Sequence, residues 1–419
     1  MDALPAGSSD NAPNLSGTTN MLTGESILCF APGPWDTIWR NRHHIMSRLA
    51  RHNRVLYVEP IPYLRPTLRR FLDRQVEPRE LARRPWRHVQ DGLFVYSPHL
   101  LLPICGKAPM STLTGALRRR LLRRTMEELG LRDPILWLYR PEMSHLMGQF
   151  GEKLTVYHVV DEYTSYRGVD GPLRDFLHRA ELETLARASM VVVVSQSLFR
   201  SKSPFNVNTF IIPNGVDYEA FQRAGERGET PGPLRAIPGP ILGYIGLISA
   251  RLDLACLRRL LVSLPQCSLV LLGSIDPLGA EDQLRDLLAC PRVYYLGRKP
   301  PGELPNYLAR FDVCLIPYRM GEEALNADPL KVYEYLAAGK PIVATSIPSL
   351  QRFSTVLRLA STEEEFLQAV RDVLSGEDPA LTSRRRILAM ENSWEDRVER
   401  ISQLIQSRLT TTSGPRSVS

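Results

Sequence analysis

Short runs of β-branched and aliphatic residues recur along the chain, separated by stretches in which apolar positions return every three or four residues. That alternation marks βαβ units, in which parallel strands are joined by helices lying on the sheet. Two sets of such runs are present. The first predicts strands over 27–30, 55–58, 93–96, 135–139, 155–160, 191–194 and 210–212, with helices such as 42–51 between them. The second predicts strands over 241–245, 269–272, 293–296, 313–316 and 342–345, the first four followed at once by Gly246, Gly273, Gly297 and Pro317. Most of these runs are continuously apolar, as expected of strands covered on both faces, and ligands of such sheets bind at strand C-terminal ends. Residues 225–240 are dense in Gly and Pro and lose the apolar period, which marks a boundary. The chain therefore divides into 23–228 and 229–392, followed by a last helix within 393–409. The polar ends, 1–22 and 410–419, carry no periodicity and read as disordered tails.

Composition refines this picture. A length of 419 residues exceeds what one core usually serves, and 43% hydrophobic residues suffice for two. The six cysteines are scattered, without CxxC pairs or matching His spacing, which excludes a zinc ribbon or disulfide framework and points to a cytoplasmic protein. No run reaches the roughly 18 apolar residues of a membrane span. The formal charge is +7 and is unevenly placed: residues 1–215 hold 28 Lys and Arg against 20 Asp and Glu. Arginine clusters at 69–70, 83–84, 118–120 and 123–124, interleaved with Leu, Phe71 and Trp86, have the basic amphipathic composition that lies on anionic bilayer surfaces, or else form a solvated arginine-rich face. No nucleic-acid recognition motif accompanies them.

The densest chemistry lies in A-D-P-L-K-V-Y-E-Y-L-A-A-G-K-P-I-V-A-T-S, residues 327–346. Asp328 is placed to cap a helix over 329–338, Pro329 suits its first position, and Gly339 suits the left-handed turn that ends it. Lys331 and Glu334, three apart, share a face near a helix N-terminus whose partial positive charge favours phosphate. On spacing alone they read equally as a surface ion pair.

This segment resembles the donor-binding motif of GT-B glycosyltransferases, in particular the family 4-like, group 1 bacterial branch, through Pro329, Leu330, Lys331, Glu334, Tyr335, Ala337, Gly339 and Pro341. The resemblance extends to P-N-G-V-D at 213–217, to L-G-Y-I-G-L-I-S-A-R-L-D at 242–253 and to S-W-E-D-R in the last helix, which in such proteins crosses back to the N-terminal domain. It implies an α/β protein of GT-B architecture, two Rossmann-like domains facing across a cleft, with the nucleotide-sugar donor on the C-terminal one. It further implies that Lys331 contacts the donor diphosphate, that Glu334 accepts from the ribose hydroxyls, and that Leu330 and Gly246 lie at the donor. Arg251 would be a phosphate ligand or a solvent-facing helix residue, and Arg298 would stack on the base or belong to a plain basic loop. Asn326 stands where many retaining relatives carry a Glu, so it offers a sugar hydroxyl hydrogen bonds without charge.

On the acceptor side, the resemblance makes Asp161, at the end of a predicted strand, the candidate general base, against the alternative of a helix cap or an ion pair with an arginine such as Arg167. Gly33 and Trp35 would line the acceptor cleft, although the tryptophan reads equally as core. His158 reads as a core histidine. The expected function is transfer of a sugar from a nucleotide-sugar to a glycan or lipid-linked acceptor in cell-surface or exopolysaccharide synthesis. No cofactor or metal is expected, and the protein would work in the cytoplasm with peripheral contact to the inner face of the anionic membrane. A sugar-nucleotide epimerase of similar fold, a non-catalytic partner subunit and a basic scaffold are the alternatives.

Overall fold

The computed structural model of the chain describes residues 21–73, 75, 77, 84–104, 110–166, 168–227 and 230–412. The expected tails over 1–20 and 413–419, and residues Arg83 and Arg167, lie outside the described residues, as does the side chain of Phe71. Within those limits the tails shorten. Leu22 is buried in a core, and residues 410–412 complete the last helix, Trp394–Thr412.

The N-terminal sheet contains β1 (Ser26–Phe30), β2 (Arg54–Val58), β3 (Trp86–Gln90), β4 (Leu93–Tyr96), β5 (Ile135–Leu138), β6 (Leu154–Val159), β7 (Met190–Val193) and β8 (Thr209–Ile211). Its order is β3-β4-β2-β1-β5-β6-β7-β8, parallel except where β3 pairs with β4. The second sheet contains β9 (Ile241–Ile245), β10 (Ser268–Leu272), β11 (Val293–Tyr295), β12 (Val313–Ile316), β13 (Ile342–Thr345) and β14 (Arg358–Ala360). It runs β11-β10-β9-β12-β13-β14 with every pair parallel. That is the doubly wound order 3-2-1-4-5-6, which opens a ligand crevice between the first and fourth strands. Here that crevice lies beyond the C-terminal ends of β9 and β12.

Two strands escape the sequence pattern. β3 reads W-R-H-V-Q, is half-exposed at the sheet edge and lacks the apolar run of the others. β14 has three residues and also forms an edge, where one covered face demands few apolar positions.

The change of core falls earlier than the Gly- and Pro-rich stretch. Val216 and Phe221 are buried with Leu234, Ile237 and the strands of the second sheet, so the C-terminal half begins at the 213–217 turn. Gly and Pro at 225–240 accompany a surface connection that includes the short helix Gly232–Arg235. The final helix returns to the N-terminal half, where Trp394, Val398, Ile401 and Ile405 enter the core formed with the Asn41–Leu49 helix. The ring of His44 stacks on Trp394 at 4.8 Å and 9°.

The chain thus crosses between halves twice, and the crossings run side by side. The Val216 N–H donates to the Asn392 carbonyl at 3.0 Å, and the Trp394 N–H donates to the Val216 carbonyl at 3.1 Å. Gly215 allows this approach, because a Cβ there would sit 2.9 Å from the Asn392 oxygen and 3.1 Å from Ser393 backbone atoms. Backbone on both sides leaves little to yield. Gly215→Ala is expected to lower unfolding free energy by about 1–3 kcal/mol, the usual range for overpacking. Urea denaturation monitored by Trp fluorescence measures it, and an unchanged midpoint would contradict the packing argument.

Candidate active site

At the ends of β9 and β10 the backbone does the positioning. Gly246 has φ +135° and Gly273 φ +143°, and a Cβ on Gly273 would lie 1.8 Å from the Gly246 carbonyl oxygen. Only glycine permits this approach, which leaves a side-chain-free shelf at the crevice. A Cβ on Gly246 would lie 3.1 Å from the Lys331 ammonium, which places that cation over the shelf.

Lys331 lies on the helix Leu330–Ala337, shorter than the 329–338 expected. Tyr335 pins this helix to the sheet, its hydroxyl accepting the Ile245 N–H at 2.9 Å, and Gly339, at φ +69°, turns the chain out of it. Lys331 is 8% exposed. Its Nζ donates to the Tyr318 hydroxyl at 2.7 Å and faces the rings of Tyr244 at 4.8 Å and Tyr318 at 4.9 Å. Burial opposes its charge, but the Tyr244 and Tyr318 hydroxyl groups outweigh that effect, and its pKa lies above the ordinary lysine value. The side chain is an ammonium at neutral pH. Among the described residues no carboxylate forms an ion pair with it.

Glu334, one turn along, is partly exposed; its carbonyl accepts the Ala338 N–H within the helix, while its carboxylate makes no hydrogen bond among the described residues. Burial raises its pKa to about 7, against the opposing pull of Lys331. A carboxylate without donors beside a protonated lysine is suited to a ligand that brings hydroxyl donors and negative charge together.

Asp328 does not cap the helix, as its position suggested; it is a buried junction. Its carboxylate has 0% side-chain exposure and accepts from the Asn214 N–H at 2.7 Å, from the Tyr333 hydroxyl at 2.8 Å and from Arg352 at 3.0 Å. Burial raises its pKa and Arg352 opposes the rise. Asn214 also donates to the Asp328 carbonyl at 2.7 Å and accepts from Asn41 at 2.8 Å. The turn at 213–217, the donor helix and the N-terminal half are joined at this point.

Across the crevice, Asp161 follows β6. It accepts from the Tyr166 hydroxyl at 2.6 Å and faces Arg251 of the C-terminal half at 3.8 Å. Arg251 also pairs with Glu323 at 3.1 Å. Burial opposes the Arg251 charge, yet Asp161, Tyr318 and Glu323 more than restore it and raise its pKa. The candidate base and the candidate phosphate ligand are therefore neighbours; the arginine side chain is 30% exposed, and the residue precedes the helix Leu254–Ser263 rather than lying on it. His158 is buried and neutral, its pKa lowered to about 3 by burial, with its ring stacked on Tyr139.

Other expected positions lie elsewhere. Asn326 is buried between the halves, where its amide oxygen accepts from Ser197 at 2.6 Å and its amide nitrogen donates to the Glu322 carbonyl at 2.9 Å. Each amide atom thus makes one protein contact, with one N–H and one oxygen lone pair remaining. Leu330 packs against the N-terminal core. Trp35 is 6% exposed and wedged edge-on against His43 and Tyr57, so its face is closed to an acceptor sugar. Gly33 lies beside it, its carbonyl accepting from Tyr57 at 2.8 Å. Arg298 is exposed, just beyond the Gly297 turn whose carbonyl accepts the Gly273 N–H at 3.0 Å.

Sequence reasoning did not pick out Tyr244, Tyr318 and Arg352. Tyr318 carried a usable signal, standing two residues beyond β12 at the edge where such sheets bind ligands. Arg352 carried none, because its partner is 24 residues away.

The chain is similar to known glycosyl transferases. Residues 240–376 match the family model for group 1 glycosyl transferases. The chain is 27% identical over 273 residues to a protein of Bacillus subtilis (strain 168) described as the teichuronic acid biosynthesis glycosyltransferase TuaH, covering 62% of this chain and 68% of that one. Among solved structures it resembles sucrose-phosphate synthase from Thermosynechococcus elongatus, with TM-score 0.68 and 16% identity over 93% of this chain and 100% of that chain. It also resembles Anabaena Alr3699/HepE in complex with UDP and glucose, with TM-score 0.61 and 15% identity over 91% of this chain and 100% of that one. None of these relatives is described as an epimerase or a scaffold. The chain is a glycosyltransferase of GT-B fold, with a group 1 glycosyl transferase domain over residues 240–376.

Proposed function

We propose that the enzyme transfers a sugar from a nucleotide-sugar to a glycan or lipid-linked acceptor in cell-surface polysaccharide synthesis, at the cytoplasmic face of the membrane. One observation carries the donor assignment: a buried ammonium, Lys331, and a donor-free carboxylate, Glu334, stand one turn apart beside the glycine shelf of a doubly wound sheet. The diphosphate would lie over Gly246 against Lys331, and Glu334 would accept from the ribose diol. The solved relative holding UDP and glucose and the relative named for teichuronic acid biosynthesis support donor and acceptor class respectively.

In the reaction the acceptor oxygen attacks the anomeric carbon, its proton passes to a base, and the bond from that carbon to the diphosphate oxygen breaks. Asp161 is the proposed base, held in place by the Tyr166 hydroxyl and facing Arg251. Lys331 and Arg251 offset the charge gathering on the leaving diphosphate, a role that in other transferases falls to a metal, so we propose that none is needed. Membership in the GT-B class does not by itself choose the sugar.

Thermal-shift titration with UDP-, GDP- and dTDP-sugars tests the donor site. One nucleotide class is expected to raise the melting temperature. Lys331→Ala should weaken that binding by roughly 10- to 100-fold, the worth of a charged hydrogen bond of about 1.5–3 kcal/mol. An equal shift in the variant would place the donor elsewhere.

Glu334 gives a pH signature. Its folded pKa, about 7, lies above the ordinary 4.5, so its contribution to stability is full below pH 4.5 and is lost as pH rises through 7. Glu334→Gln should therefore melt higher than wild type at pH 8 and alike at pH 4.5. Donor binding should show the reverse dependence: wild-type affinity should fall as pH drops below 7, because a protonated carboxyl accepts poorly from a diol, whereas the variant should bind weakly at every pH. A wild-type affinity flat from pH 5 to pH 8 would contradict the assignment.

A further inference from the structure

The N-terminal half carries exposed leucines in two ordered stripes. On the helix Leu64–Leu72 the residues Leu64, Leu68 and Leu72 recur at four-residue spacing, and all three are exposed, Leu72 to 82%. Four-residue spacing puts them on one face. On the helix Met110–Glu128 the exposed apolar residues are Met110, Leu113, Leu117 and Leu121, at spacings of three and four, with Leu113 60% exposed. The buried face of that helix is a different one, carrying Thr114, Leu122, Thr125 and Met126.

The two stripes belong to one region. Tyr63 bridges Ile104, the Leu64 N–H donates to the Ile104 carbonyl at 3.1 Å, and Arg118 of the second helix donates to the Pro103 carbonyl at 2.8 Å. The segment ending at Ile104 thus ties the start of one helix to the body of the other. Both connections leave the C-terminal ends of their strands, β2 and β4, the edge of the sheet that also carries Asp161 beyond β6. The segments leading into both helices thus start from the sheet edge on which Asp161 lies.

Cations border both stripes. Arg65 and Arg69 are exposed on the first helix and Arg120, Arg123 and Arg124 on the second. The neighbouring acids are Asp73, Glu127 and Glu128; Asp73 pairs with Arg69 and Glu128 with Arg124, and Arg123 donates to the Gln149 carbonyl, which leaves Arg65 and Arg120 exposed beside the stripes. Apolar side chains that reach a few ångströms outward, ringed by arginines, match the headgroup boundary of an anionic bilayer, in which leucines enter the acyl edge and guanidinium groups meet lipid phosphates. The excess of arginine requires an anionic partner, and an anionic bilayer meets the leucines and the guanidinium groups together.

We propose that this surface docks on an anionic bilayer and holds the acceptor cleft at the membrane. The proposal rests on the reading of the acceptor as membrane-borne. No helix among the described residues is long and apolar enough to cross a membrane, so attachment through this surface is peripheral. Docking there would let a lipid-borne glycan reach Asp161 while its lipid stays in the bilayer.

The full chain is tested by sedimentation with vesicles of phosphatidylcholine alone and of phosphatidylcholine mixed with phosphatidylglycerol, beside the variants Leu68→Glu with Leu113→Glu and Arg120→Glu with Arg124→Glu. Wild type should bind the anionic vesicles on the order of tenfold or more tightly than the neutral ones, and both variants should lose that preference. Every changed side chain is exposed, and an unaltered nucleotide-sugar thermal shift verifies that the variants are folded. Wild type that ignores anionic vesicles, or variants that bind them as wild type does, would overturn the proposal. Self-association abolished by the leucine substitutions, without vesicle binding, would overturn it in favour of a second copy. Vesicle binding without any nucleotide-sugar shift would contradict the donor site and leave the docking surface standing.

Discussion

The Asp328 carboxylate is the interaction on which the arrangement turns. It is wholly removed from water, which is tolerable only because Asn214, Tyr333 and Arg352 all donate to it. Stripping a partner from such a buried charge costs about 3–5 kcal/mol, so the cluster holds its members in one geometry. Those members lie on three parts of the chain that the mechanism needs in register. Asn214 belongs to the turn between halves, Asp328 begins the approach to the donor helix, and Asn41 links both to the N-terminal half. The crossing that returns at 392–394 is fastened to the same turn through Val216.

From this junction the donor site follows as two charges left without an ion pair among the described residues. Lys331 is stabilised by phenol rings and a hydroxyl rather than by a carboxylate, and Glu334 is desolvated without donors. Each arrangement lowers stability relative to a paired one and keeps the group available for a ligand. On the facing half the opposite choice appears. Lys202 sits between Glu162 and Glu181 at 2.7 Å from each, a satisfied buried cluster that fixes the loop next to Asp161.

Apart from β3 and β14, the strands were legible because their apolar runs are continuous, four of the second set being followed by Gly or Pro, and the donor helix was legible because its motif is long. What the sequence concealed was the identity of partners. Asp328 looked like a cap because caps are local, whereas its donors come from residues 214, 333 and 352. Trp35 looked open because it follows a strand, but His43 and Tyr57 close over it. Asn326 was picked out by its place in a motif, whereas its contact with Ser197 of the other half joins residues 129 apart and left no local signal. The Gly- and Pro-rich stretch drew the boundary past the 213–217 turn, whose Asn214 and Gly215 signal a tight turn without distinguishing it from one inside a domain. The exposed leucine stripes were visible as amphipathic composition, but their common placement in one region depends on the Tyr63–Ile104 contact.

The central claim is that Lys331 and Glu334 receive the two ends of a nucleoside diphosphate. The most direct measurement is a crystal structure of the protein soaked with the nucleotide-sugar that gives the largest thermal shift. The account predicts diphosphate oxygens within hydrogen-bond distance of the Lys331 Nζ and above Gly246, with both ribose hydroxyls donating to Glu334. A nucleotide bound elsewhere, or one leaving the Glu334 carboxylate without a donor, would contradict it.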